Sequence, residues 1–86
     1  MSIRIVGFYM SEKFSKIEHY VIASDTGARD GIGVEIYVGN NMVMEIFRDD
    51  TKKKREVSLF QDQLDLELVE QAITLFKEEI PEDFQD

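Results

Sequence analysis

Over most of the chain apolar and polar residues alternate in short runs, and near its end the apolar positions shift to helical spacing. The alternating runs lie at Ile3 to Met10, Lys16 to Ala23, Ile32 to Val38, Met42 to Arg48 and Arg55 to Phe60. They are rich in β-branched and aromatic residues and are divided by turn-formers, so each is predicted to be a strand. Ser11 to Ser15 and Ser24 to Gly31 supply connections, the second with Gly27 and Gly31 where positive φ costs little. Leu68, Val69, Ala72, Ile73, Phe76 and Ile80 then form one apolar stripe of a helix. Asp65 is suited to cap its start, with Glu67 and Glu70 at the positive end of the helix dipole. Leu64 and Val69 are placed for a hydrophobic staple, and Pro81 stops the helix. Strands followed by a helix, without repeat or long linker, predict an α+β fold: an antiparallel β-meander of four to five strands with one C-terminal α-helix packed on one face.

The third and fourth runs form the clearest hairpin. Setting Val34, Ile36 and Val38 against Ile46, Met44 and Met42 requires a three-residue loop, Gly39, Asn40 and Asn41. A two-residue Asn-Asn loop would slip the register and place Glu45 opposite Ile36, which burial disfavours. The fifth run continues the pattern, with Ile46 against Val57 and Met44 against Leu59.

Eighty-six residues fit one core, so residues 1–86 are expected to form a single domain, with 82–86 a frayed acidic tail. Without cysteine the fold rests on packing, and no secretory leader or membrane-length apolar run is present, which predicts a cytoplasmic protein with no membrane partner. A formal net charge of −8 repels phosphate backbones and argues against direct nucleic-acid binding. Nine acids and a single lysine, Lys77, lie between Asp62 and Asp86; the run reads as a solvated helix face and tail.

The glycines match neither the dinucleotide nor the P-loop spacing. His19 is the only histidine and sits in a strand without a partner motif, and Asp25 and Asp30 lack the spacing of a calcium loop. Lys52 to Arg55 lies at a hairpin tip beside Asp49 and Asp50 and reads as a solvated turn. The expectation is a non-enzyme without cofactor or metal site.

Surface chemistry is what remains. If the helix covers Val34, Ile36, Met44, Ile46, Val57 and Leu59, the other face carries Glu35, Tyr37, Glu45, Phe47, Glu56 and Ser58. Glu35 then faces Glu45, a pairing of like charges that needs a nearby cation. Aromatic anchors among carboxylates suit a basic protein partner, and Asp49, Asp50 and Asp62 in the loops widen the patch. The candidate partner-binding residues are Glu35, Tyr37, Glu45, Phe47, Asp49, Asp50 and Asp62.

The order EIFRDD (Glu45 to Asp50), a charged turn, the strand REVSLF, a polar turn and the helix LDLELVEQAITLF resembles that of small bacterial immunity proteins, including those paired with contact-dependent growth-inhibition toxins. The resemblance spans Val34 to Ile80, about half the chain. It implies a protein that binds a cognate toxin domain in the cytosol and neutralises it by occluding its active site. Many such toxins are nucleases, whose basic clefts would attract an acidic protein. The alternative is a small structural or regulatory subunit acting as a homodimer, paired through an edge strand or through the aromatic face. A hydrolase using His19 would require a pocket around that residue.

Overall fold

The computed structural model describes the backbone of residues 2–5 and the whole of residues 14–85. Strands β1 (Ser2–Ile5), β2 (His19–Asp25), β3 (Gly31–Val38), β4 (Asn41–Asp49) and β5 (Lys54–Leu59) form one antiparallel sheet in sequential order. The helix α1 (Leu66–Glu79) follows and packs over the centre of the sheet. The chain is thus an α+β meander with a C-terminal helix on one face. Of the first predicted strand, Ile3 to Met10, positions beyond Ile5 lie outside the described residues, as does most of the Ser11 to Ser15 connection.

The second strand starts later than its apolar pattern predicts. Ile17 N donates to Phe14 O over 3.0 Å, closing a single turn that sends both side chains into the core. Lys16 N donates to Gln71 Oε1 at 2.8 Å, and Lys16 Nζ lies 3.4 Å from Asp65, which ties this turn to α1. Ile17 is fully buried, so its place in the pattern marks a core anchor and not a strand residue.

The β3–β4 hairpin keeps the predicted pairs Val34 with Ile46 and Ile36 with Met44, yet its tip differs from expectation. Tyr37 pairs with Met42 and Val38 with Asn41, leaving the two-residue turn Gly39–Asn40. Gly39 has φ 63°, the positive value that the first position of this tight turn demands. The register shift falls after Ile36 and leaves Val43 as the extra residue of a β-bulge. The bulge absorbs the offset a short turn imposes, so apolar residues stay on one face without a longer loop. Val43 is itself buried.

Asp65 caps α1 as predicted, accepting from Glu67 N at 2.9 Å, and the helix ends at Glu79 ahead of Pro81. Its buried face is rotated from the expected stripe: Leu68, Ala72, Leu75 and Phe76 are buried, whereas Ile73 is 39% exposed. The expected coverage of β5 also fails, with Val57 52% and Leu59 58% exposed although they pair with Ile46 and Met44 as predicted. The reason is width. A helix roughly 10 Å across spans about two strands spaced about 4.8 Å apart, here β3 and β4.

The segment after Pro81 is held in place where a frayed tail was expected. Arg48 Nη1 donates to Pro81 O at 2.7 Å, Gln85 N donates to Asp50 Oδ1 at 3.0 Å, and Arg55 donates to Glu82 O. The Phe84 ring receives the Arg55 guanidinium at 4.5 Å. Asp86 lies outside the described residues.

The rotated helix face has a direct consequence. Leu75→Ala should cost about 2–5 kcal/mol, as buried leucine truncations do, and Ile73→Ala less than about 1 kcal/mol, as surface changes do. Urea titrations of both variants check this, and equal losses would restore the stripe predicted from sequence.

Candidate protein-interaction surface

Interior strand β4 is buried on both faces of the sheet. Met44 and Ile46 point toward α1, while Glu45, Phe47 and Asp49 point away from it. Phe47, expected as an exposed anchor, is 1% exposed. It pairs with Gly33, where an added Cβ would come within 2.8 Å of the ring and 2.5 Å of Ile46 O. The glycine lets an aromatic ring lie against the strand backbone. Above the ring lies Arg29 from the β2–β3 loop, its guanidinium carbon 3.9 Å from the ring centre.

Arg29 is also the cation that the Glu35–Glu45 pairing needs. Glu35 and Glu45 are direct cross-strand partners, as expected. Glu45 takes a bidentate bond from Arg29, Nη1 to Oε1 at 2.8 Å and Nη2 to Oε2 at 2.9 Å. Glu35 accepts from Tyr37 Oη at 3.0 Å. The hydrogen bond to Glu45 raises the Arg29 pKa above its ordinary value; desolvation opposes this, and the charges of Glu45, Asp25 and Asp49 support it. His19 stacks on Tyr37 with centroids 4.5 Å apart. The face carries the predicted side chains, but its carboxylates are bonded within the fold.

Asp49 and Asp50 behave in the same way, and Asp62 does not. Asp49, 2% exposed, accepts from Lys52 N at 3.0 Å. Asp50, on the β4–β5 turn, receives Arg48 Nε at 2.9 Å and Nη2 at 3.2 Å, a buried pair that also holds Pro81 and Gln85. Burial works against the Asp50 carboxylate, yet the hydrogen bonds from Arg48 and Gln85 and the charges of Arg48 and Lys53 outweigh it and hold its pKa below the usual value. Of the seven predicted residues, Tyr37 is half-buried and Asp62 alone is exposed; Glu35, Glu45, Phe47, Asp49 and Asp50 are buried.

Exposed apolar side chains gather elsewhere. Val57 and Leu59 lie on the α1 side of β5, and Leu66 and Ile73 lie on α1. Arg55, at the start of β5, lines a pocket with Phe76, Lys77 and Ile80 at the end of α1, whose packing on the sheet is otherwise against β3 and β4. The solvent side of α1 carries Glu67, Glu70 and Glu78, all exposed, with Asp62 ahead of the helix. Sequence reasoning missed Arg29, which stands sixteen positions from Glu45, and missed the Arg48–Asp50 pair although only one residue separates the two, because reading Asp50 as a surface acid leaves its neighbour out of account. It also missed the exposure of Val57 and Leu59, for which the width of one helix was the available signal.

Among the described residues no three His, Cys, Asp or Glu side chains are grouped to hold a metal ion, and no helix is long and apolar enough to cross a membrane. No family model matches the chain, and neither curated proteins nor solved structures give a match.

The Arg48–Asp50 pair makes acid stability testable. Because the folded Asp50 pKa is depressed, the unfolded chain takes up the proton first as pH falls. The stabilisation is full above the unfolded value of about 3.9 and is lost as pH drops through the lower folded value. Asp50→Asn should destabilise the protein at neutral pH by roughly 3 kcal/mol, since a buried guanidinium loses its counter-ion. It should also flatten the fall in stability below about pH 4. Urea midpoints measured across pH for both proteins decide; parallel curves would remove Asp50 as the source.

Proposed function

We propose that this protein is an immunity protein that binds a cognate bacterial toxin domain and neutralises it by covering its active site. The observation that carries the reading is the solvent side of α1. Leu66 is 64% and Ile73 39% exposed, with the exposed carboxylates of Glu67 and Glu70 beside them and Lys77 one turn beyond Ile73. Apolar anchors ringed by charge are what a specific protein interface needs: the apolar groups gain from desolvation, and the charges steer and orient the partner.

The sheet-face acid Glu45 and the turn acid Asp50 have internal partners, Arg29 and Arg48. The surface assignment therefore moves from that face to α1. A net charge of −8 adds long-range attraction for a basic partner such as a nuclease domain. Occlusion requires no chemistry from this chain, only a stable surface. The carboxyl-terminal residues pinned by Arg48 and Arg55 support the end of the helix that presents it.

Capture from the native host, identification of the partner by mass spectrometry and titration against its toxic activity test the proposal. A toxin domain inhibited with a one-to-one end point supports it, whereas recovery of metabolic enzymes or ribosomal proteins alone would sink it. With the toxin domain in hand, joint replacement of Glu67 and Glu70 by lysine should slow association roughly tenfold at low salt, with the difference shrinking as salt rises. Unchanged rates would take α1 out of the interface.

A further inference from the structure

We infer that β5 pairs antiparallel with β5 of a second copy of this chain, joining the two sheets edge to edge. Strand β5 ends the sheet, with β4 as its only neighbour among the described residues. Phe60 N donates to Val43 O at 3.0 Å, which sets the alternation of the ladder. Glu56 and Ser58 bond toward β4, so the backbone groups of Arg55, Val57 and Leu59 point outward. β5 contains neither proline nor a bulge, and Val57 and Leu59 stand exposed on its second half, beyond the charged Lys54, Arg55 and Glu56 that guard its start.

The charge order selects a second copy as the occupant. Lys52, Lys53, Lys54 and Arg55 lead into the strand, and Asp62 and Asp65 follow it. Antiparallel self-pairing sets the basic start of each strand against the acidic end of the other, at both ends of the joint. The two-fold axis must keep outward backbone groups opposite one another, so it passes through Glu56, Val57 or Ser58. Centring on Glu56 opposes two carboxylates, and centring on Val57 sets Arg55 against Leu59. Centring on Ser58 pairs Val57 with Leu59 twice and brings Lys54 opposite Asp62 twice, so it is the register of this joint. Both helices then lie on the same side of a continuous sheet, and the inference holds whether or not the protein neutralises a toxin.

The full chain tests this. Sedimentation should show a dimer that dissociates on dilution, and a monomer at every concentration would overturn the inference. The sequence has no cysteine, so S58C can be oxidised without side reactions. Ser58 and its symmetry mate form a non-hydrogen-bonded pair, with Cα atoms about 4.5 Å apart, close enough for a disulfide. Most of the S58C protein should become a covalent dimer, while T74C on α1 should give none. Cross-linking through V57C in place of S58C would overturn the register. V57P removes an outward N–H without touching the β4 ladder, and L59K places a charge at an already exposed site. Each should leave the circular-dichroism spectrum unchanged and give a monomer, and a dimer that survives both would overturn the pairing.

Discussion

The bidentate bond from Arg29 to Glu45 is the contact on which the α1-distal face of the sheet depends. The same guanidinium covers Phe47, which the Gly33 backbone supports from beneath. Without it, Glu35 and Glu45 would oppose each other across β3 and β4 with no compensating charge from this loop. One side chain thus lets β4 be buried on both faces: α1 covers one, and the β2–β3 loop carries Arg29 onto the other. The loop is itself braced, since Thr51 Oγ1 donates to Asp30 Oδ2 at 2.9 Å and Asp50 N donates to Asp30 O at 2.7 Å.

The helix side follows a simpler constraint. One helix covers about two strands, so the interior concentrates on β3, β4 and the Phe14–Ile17 turn, while β5 is left partly bare. The Arg48–Asp50 pair then fastens the carboxyl-terminal residues across the end of the helix. Stability and surface are divided by this arrangement. Acids near the centre of the sheet hold the fold together, and the acids of α1 remain in solvent beside Leu66 and Ile73.

Much of the fold was legible because it follows from periodicity. The meander, the Asp65 cap, the stop at Pro81 and the Val34–Ile46 and Ile36–Met44 pairs all come from local pattern. The bulge at Val43 was not legible, since a pattern of apolar residues fixes which face they take and leaves open how a turn and a bulge share the offset. Ile73 and Leu75 exchange roles because a stripe read from spacing has no reference direction until the sheet supplies one. The candidate patch was legible as a face and misread as a surface. Glu35 and Glu45 do oppose each other, and the need for a cation was visible, but a loop arginine sixteen positions away is a tertiary partner that spacing does not reveal.

We propose that the carboxylates of Glu45 and Asp50 are structural and that those of α1 meet a partner. Carbodiimide labelling of carboxyl groups, read by mass spectrometry on the free protein and on its complex with the captured toxin domain, tests both halves at once. Glu45 and Asp50 should label poorly in either state, while Asp62, Glu67 and Glu70 should label readily in the free protein and be protected in the complex. Ready labelling of Glu45 in the free chain that is lost on binding, with Glu67 and Glu70 unchanged, would contradict this division of roles.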